Sequence, residues 1–391
     1  MSHQWRLSAD MQIRRVLHVT NRYLPSIGGV QTQVRNLSRA LRLKGVEVEV
    51  LTHRLGDGVP FSEADDAGVF VRRFPTTINY QHGTVSRQLL QHLAAEDPTD
   101  TVLHLHSYHD PITLLAARKW DGRVVFNPYF HGSSASTARA IMHRVYRPAG
   151  QWIFDRADAI VCLTHAEAAV VRSHHKRVAD KIEIVSSGID VDRINIATPM
   201  PRDDHRKMIL AAGRIEDYKQ VELIVRAMRS LRSTHCLEIV GCGPGEAAIA
   251  QLIEELGLGD SVRMHGRVSD ESFARWLRTA DVVCSASLLE SQGIVPLEAI
   301  VAGAAVVVSD IPAHAETSAA FPGSVTLFDP TATPEHLAAV LAQAQSRQSQ
   351  RARRANPPSW SDVADRMMTT YGRSGGRPTQ LTLVHRSEAA A

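Results

Sequence analysis

Two glutamates bracket a glycine in the string Glu290-Ser-Gln-Gly293-Ile-Val-Pro-Leu-Glu298. Carboxylates accept well from vicinal hydroxyls, as acidic residues do at the ribose of a dinucleotide. Pro296 opens a helix there, and Gly293 and its neighbours would turn backbone N–H groups toward an anion at that helix start. The string therefore fits a ligand with sugars at its ends and phosphate between them. A second group, Gly213-Arg214-Ile-Glu-Asp-Tyr-Lys219, puts two cations at and just past a strand end. A forked guanidinium and a point-charge ammonium at that spacing can clamp a diphosphate. A third, Pro25-Ser-Ile-Gly28-Gly29-Val30, is a glycine turn between a strand and a helix, where a phosphate suits the free N–H groups. A fourth, from Val240 through Gly241, Gly243 and Gly245, mimics a dinucleotide fingerprint. Its third glycine falls early, Pro244 interrupts it, and no acidic residue follows at the usual distance, so it reads as a turn, at most beside a nucleotide base. Taken singly, each group is also compatible with an ordinary turn or a solvated loop.

Short apolar runs alternating with amphipathic stretches must position these residues. Arg15 to Thr20 reads as a buried strand, residues 30–44 as a helix with Val34, Leu37, Ala40 and Leu41 on one face, and Val46 to Leu51 as the next strand. Further strands are expected at 69–74, 101–106, 123–127 and 158–163. After a polar, proline-bearing linker near residue 200, strands are expected at 207–212, 236–240, 261–264, 281–284 and 304–308, with helices between them. This β-α-β order implies parallel sheets with right-handed crossovers. The expected fold class is α/β, two Rossmann-like doubly wound domains facing across a cleft. The expected divisions are an N-terminal extension at 1–12, a first domain at 13–198, a second at 199–358, a helix at 359–372 returning to the first domain, and a flexible tail at 373–391. Ligands of such sheets bind beyond the carboxyl ends of the strands.

Composition narrows the function classes. The 391 residues include 44 Lys plus Arg and 41 Asp plus Glu, a net charge of +3, too balanced for a dedicated nucleic-acid binder. Hydrophobic residues at 44% and charged residues at 22% exclude a wholly disordered chain, a collagen and a coiled coil. Cys162, Cys236, Cys242 and Cys284 form no CxxC pair, which fits neither a zinc site nor a disulfide framework and points to a reducing cytosol. The N-terminal residues lack a signal-peptide core, and no apolar run reaches about 18 residues. A soluble, cytoplasmic protein without stable membrane insertion is expected.

With these motifs in order, the sequence resembles the retaining glycosyltransferases of family 4, which have the two-domain type-B fold. The resemblance covers roughly residues 13–372. It rests on Gly28-Gly29-Val30, on Gly213, Arg214 and Lys219, and on Glu290, Gly293 and Glu298 in an E-x7-E element. The strings Ala157 to Thr164, Ile184 to Asp190, Met264 to Val268 and Ala280 to Ser285 are also family-like. The resemblance implies a nucleotide-diphosphate sugar donor held mainly by the second domain. Arg214 and Lys219 would stabilise the departing diphosphate. Glu298 would bind the ribose and Glu290 the transferred sugar. Backbone groups of Ser291, Gln292, Gly293, Ile294 and Val295 would meet sugar and phosphate, and Arg267 and Val268 would lie by the base. Gly28, Gly29 and Gly241 would approach the donor, and His131 would approach the donor sugar. No cofactor is implied beyond the nucleotide sugar as co-substrate, and no metal.

The sequence departs from the family pattern in three places: Gln220 stands where Gly is usual, Gln292 where Phe is common beside the sugar, and the pair Ala304-Ala305 where a small residue and Pro are usual. Asp190-Val-Asp192 has the form of a D-x-D metal signature, but its place makes it a connecting loop. His106 and His109 are candidates for lining the acceptor cleft. A metal trio including His104 is not expected, because strand alternation offers no third ligand. The expected function is transfer of a hexose or amino-hexose from a UDP-linked donor to a small soluble acceptor, an aminocyclitol in natural-product (antibiotic) biosynthesis being one candidate. The alternatives are a non-catalytic nucleotide-sugar binder, or a lipid or polysaccharide acceptor.

Overall fold

The computed structural model describes residues 13–130 (except 27, 57, 66, 81 and 82), 150–344 and 357–373. The expected extension at 1–12, nearly all of the expected tail, and His131 lie outside these residues. In chain order the first half contains strands β1 (Arg15–Val19), β2 (Glu47–His53), β3 (Ser62–Ala64), β4 (Phe70–Phe74), β5 (Ile78–Tyr80), β6 (Gly83–Val85), β7 (Thr101–His106), β8 (Arg123–Asn127), β9 (Ala159–Cys162) and β10 (Ile182–Ile184). The second half contains β11 (Lys207–Ala212), β12 (His235–Val240), β13 (Val262–Met264), β14 (Val282–Ser285), β15 (Ala305–Ser309) and β16 (Val325–Phe328).

Eight strands form the first sheet in the order β10-β9-β8-β7-β1-β2-β4-β3, parallel except for the antiparallel edge pair β3–β4. Six parallel strands form the second in the order β13-β12-β11-β14-β15-β16. The doubly wound α/β class is therefore present twice. Each sheet reverses its winding at one point, between β1 and β7 in the first and between β11 and β14 in the second. Crevices open at the carboxyl ends of the strands at such points.

The central strands are apolar on both faces because helices cover both. Helix Gly29–Leu43 buries Val34, Leu37, Ala40 and Leu41. Helix Trp360–Gly372 begins in a capping box, with the Ser359 hydroxyl accepting from Asp362 N and the Asp362 carboxylate accepting from Ser359 N. It buries Val363, Ala364, Met367 and Tyr371 beside the first-domain helix.

Beneath this last helix lies a polar cluster in an apolar core. His18 of β1 pairs in register with His104 of β7, and period-two alternation brings His106 to the same face. All three imidazoles are fully buried. The third member that alternation along one strand could not supply comes from the neighbouring strand, so that argument against a trio is corrected. The nitrogens lie within 4.8 Å of one another, but most are engaged in hydrogen bonds. Asn127 donates through Nδ2 to Val161 O at 3.0 Å, which leaves its Oδ1 to accept from His104 Nε2 at 2.6 Å. His104 Nδ1 then accepts from the Tyr371 hydroxyl at 2.8 Å. His18 Nδ1 meets His106 Nε2 at 2.9 Å, and His106 Nδ1 meets the Tyr129 hydroxyl at 3.1 Å.

Burial pushes His18 and His106 well below the ordinary imidazole range and His104 down to about 4. These groups are neutral in the native state and protonate near 6.5 once unfolded. Their contribution to stability is therefore constant above about pH 6.5 and falls below it, reaching the full His104 contribution below pH 4. Thermal midpoints measured from pH 7.5 to 4.5 should fall on the acid side, with His104→Gln showing a shallower fall than wild type. Equal slopes in the two proteins would remove His104 from the acid response.

Candidate functional site

A recess lies at the reversal point of the second sheet. It is lined by Ala211 to Ile215 from the end of β11, by Lys219, and by Cys284 to Ser287 from the end of β14. Gly213 leaves β11 at φ +133, a conformation that favours glycine. The chain passes Arg214, which pairs with Glu216 and remains half exposed. A single 3-10 turn, Asp217–Lys219, then delivers Lys219. Gln220 holds a left-handed conformation, φ 50 and ψ 39, so glycine suits this position on backbone grounds. Here the glutamine carboxamide compensates by donating to Asp217 O at 2.7 Å.

The structure brings Lys219 and Glu290 together. Lys219 Nζ lies 2.5 Å from Glu290 Oε1, and the same oxygen accepts from Ser287 Oγ at 2.9 Å. Leu288 N donates to Tyr218 O at 2.8 Å and closes the two loops on each other. Gly293, at φ 82, starts helix Ile294–Ala302, which has no side-chain cap. Its first N–H groups are therefore available to an anion. His314, fully buried and not singled out in the sequence, stands behind this turn. Its Nδ1 is 2.9 Å from Ser309 O, and a β-carbon at position 293 would come within 3.1 Å of its Nε2.

Glu298 lies one turn into that helix. No hydrogen bond to its carboxylate is found among the described residues. Burial raises it to about 7, Arg193 opposes the rise, and Asp270 and Asp190 add to it. Asp190 accepts from Arg193 N at 3.1 Å as the N-cap of helix Val191–Ile196, so the D-x-D string forms a helix start.

Other expected residues have specific places. The Gln292 side chain is buried and its Oε1 accepts from Ser187 N at 2.8 Å, which leaves the backbone groups expected to meet the donor. Gly241, at φ +138, is required by packing: a β-carbon there would lie 1.8 Å from Gly213 O. Gly243 has the same relation to Ile215 O, at 2.4 Å. The glycine-rich turn therefore fits against the Arg214 loop, and its glycines need no ligand to explain them. Arg267 reaches across to donate to Pro25 O at 3.1 Å, and Val268 packs into the second-domain core. In the first domain, Gly28 and Gly29 start helix Gly29–Leu43 without a side-chain cap, and a β-carbon on Gly28 would come 3.8 Å from Arg214 Cδ. The glycine turn thus lies against the cation of the facing domain. His109 is exposed. His106 is sealed in the core with His18 and Tyr129 and does not line the cleft, because its strand position points it under helix Trp360–Gly372.

Several interdomain bonds hold the cleft. Thr164 Oγ1 donates to Ser291 O at 3.0 Å. Glu316 accepts from His165 N and Ala166 N at 2.9 and 3.1 Å, capping a first-domain helix from the second domain. Arg35 pairs with Asp270 at 2.9 Å. Glu167, missed in the sequence, ties the loops after β8 and β9 by accepting from Phe130 N and Leu163 N, both at 2.8 Å.

A carboxyl raised to about 7 is a stability cost that vanishes below its unfolded value near 4.5, grows between 4.5 and 7, and is constant above. Glu298→Gln should therefore raise the thermal midpoint by a few degrees at pH 8, and the gap should close toward pH 4.5. A variant less stable than wild type at pH 8 would mean that the carboxylate is satisfied within the fold.

The family models agree with this arrangement. Residues 27–193 match the model "Glycosyltransferase Family 4" and residues 192–356 match "Glycosyl transferases group 1". A protein named D-inositol 3-phosphate glycosyltransferase from Arthrobacter sp. (strain FB24) is 28% identical over 320 residues, 73% of this chain and 74% of the relative. One of the same name from Jonesia denitrificans is 27% identical over 395 residues, 89% and 91% of the two chains. Among solved structures, sucrose-phosphate synthase from Thermosynechococcus elongatus superposes with a TM-score of 0.75 at 19% identity, covering 92% of this chain and 98% of that one. Anabaena HepE in complex with UDP and glucose gives 0.72 at 15%, covering 91% and 98%. At such identities these structures speak for the fold. With the two models spanning residues 27–356, the chain belongs to the family 4 glycosyltransferases of the type-B fold.

Proposed function

We propose that the protein is a retaining, metal-independent glycosyltransferase that moves a hexose or amino-hexose from a UDP-linked donor to a small soluble acceptor, an aminocyclitol-like polyol. The observation that carries this is that Arg214 and Lys219 line one recess at a sheet reversal, with Glu290 paired to Lys219 and an uncapped helix starting just after Gly293 on the same loop. HepE, with the same fold, was solved with UDP and glucose. Several relatives are named for transfer to an inositol phosphate, a small cyclic polyol. Among the described residues no helix is long and apolar enough to cross a membrane, and a cytoplasmic site of action fits a soluble donor and acceptor.

The chemistry follows from the charges. As the bond from anomeric carbon to diphosphate breaks, positive charge grows on the sugar and negative charge on the leaving oxygens. Arg214, Lys219 and the N–H groups after Gly293 are fixed where that negative charge develops. The acceptor hydroxyl attacks from the face the diphosphate leaves. Its proton passes to the departing phosphate, so no protein nucleophile is needed and the configuration is kept. Two cations at the diphosphate do the work that a divalent ion does in metal-dependent enzymes. Glu298 accepts from the ribose hydroxyls, which favours its ionised form, and Glu290 meets the transferred sugar.

A panel of nucleotide sugars screened by thermal shift identifies the donor, since a ligand selective for the native state raises the midpoint by mass action. With that donor, Arg214→Ala and Lys219→Ala should each lower kcat by about 10²–10³, the scale of losing one transition-state stabiliser, and EDTA should leave initial rates unchanged. Normal turnover in both folded variants, or activity lost to EDTA and restored by Mg²⁺, would overturn the diphosphate assignment.

A further inference from the structure

The reversal point of the first sheet, between β1 and β7, carries its own polar group. Asn21 follows β1, and Ser107 and Asp110 follow β7. The backbone is strained here. Ser107 has φ 79 and Tyr129, just past β8, has φ 47, both in the left-handed region and neither a glycine. Such strain persists where the surrounding fold over-determines it and concentrates at ligand sites. Ser107 is pinned by its N–H donating to Asn127 O at 2.9 Å, and Thr113 Oγ1, which donates to Asp110 O at 2.6 Å, lies 3.1 Å from its carbonyl.

Asp110 occupies the N-cap position of helix Pro111–Lys119, yet its side chain makes no cap bond. Its Oδ1 instead accepts from Asn21 Nδ2 at 3.0 Å. A carboxylate is acceptor-only, so this bond fixes the amide orientation and leaves Asn21 Oδ1 as a second acceptor. That oxygen is buried and has no partner among the described residues. Asp110 itself is half-buried, with burial raising it to about 6, bonds from Ser107 and Asn21 lowering it, and the Arg22 charge lowering it further. The place where an open sheet binds its ligand therefore presents one oxygen without a donor, Asn21 Oδ1, beside a carboxylate.

We propose that Asp110, supported by Asn21, is the acceptor-specificity group of this enzyme, selecting an acceptor that bears an ammonium beside its hydroxyls and disfavouring a phosphorylated one. The proposal rests on the reading that the first domain holds the acceptor. An ammonium has three donors and no acceptor, so it can satisfy the Asp110 carboxylate and the orphaned Asn21 oxygen together. A phosphate oxygen at the same place would face a carboxylate and an amide oxygen, with Arg22 as the adjacent cation on the same loop.

The test uses the full-length enzyme, UDP-glucose, and three acceptor probes: streptamine, myo-inositol and myo-inositol 1-phosphate. Calorimetry with UDP alone reports on the donor side. Wild type should favour streptamine over myo-inositol 1-phosphate by at least tenfold in kcat/KM, or in affinity for the UDP complex if turnover is too slow to follow. Asp110→Asn should weaken streptamine by roughly 10²-fold, the scale of a charge-assisted hydrogen bond, and myo-inositol by less than threefold, with UDP affinity unchanged. Asn21→Leu should weaken streptamine in the same direction by a smaller factor and provides a check should Asp110→Asn fold poorly. A wild type that prefers the phosphorylated probe, binds none of the three while binding UDP, or loses all three alike on Asp110→Asn would overturn the acceptor proposal. Failure of UDP itself to bind would instead overturn the glycosyltransferase reading beneath it.

Discussion

The ion pair between Lys219 and Glu290, 2.5 Å from nitrogen to oxygen, governs the geometry of the donor recess. The two residues come from loops that follow β11 and β14, the neighbouring strands at which the second sheet reverses. Without a link, two such loops would splay apart. With it, and with Leu288 N bonded to Tyr218 O, they form the floor and wall of one recess. The pair also sets the electrostatics. A carboxylate beside the ammonium keeps the cation in place and its charge locally balanced while the site is empty. In the proposed reaction a diphosphate would compete for a lysine that is already positioned, which is how preorganised charge lowers a barrier.

The remaining features support that floor. The glycines of the turn at 241–245 allow it to pack directly on the Arg214 loop. Gly293 lets the helix that bears Glu298 start against His314. Arg267, Thr164, Gln292 and Glu316 make hydrogen bonds that join the two domains. These are polar, peripheral bonds, each worth about 0.5–1.5 kcal/mol net, so they orient the domains without fusing their cores. Glu298 shows the complementary pattern. Its burial with no hydrogen bond from the described residues raises it to about 7, a cost to stability of the kind that binding sites tolerate.

Much of this was legible in the sequence because it is local. Buried parallel strands read as apolar runs, and the helix face of Val34, Leu37 and Leu41 reads as a period of 3.6. The glycine turns and the Glu290 to Glu298 string lie where local chemistry puts them, after strands and before helices. The edge strands β3, β10 and β16, the hairpin of β5 and β6, and helices Pro312–Ala320 and Pro334–Gln343 were not read. They are short, or exposed on one side, and carry little periodicity. What the sequence hid most completely is pairing between distant segments. Nothing local indicates that Gln292 caps Ser187, that Glu167 gathers the loops after β8 and β9, or that His18 joins His104 and His106. His104 is bonded by Tyr371, from a helix 267 residues further along the chain.

Two tasks are proposed for Glu290: counter-ion to Lys219 in the empty site and contact to the transferred sugar in the reacting one. Neither makes it a binder of the nucleoside diphosphate. Calorimetric titration of Glu290→Gln with UDP, together with donor-saturated kcat, tests this directly. Freeing Lys219 from its carboxylate should leave UDP affinity unchanged or tighter, while kcat falls by about 10²-fold for loss of a contact made in the transition state. A Glu290→Gln variant that binds UDP several-fold more weakly than wild type while keeping its kcat would contradict both roles.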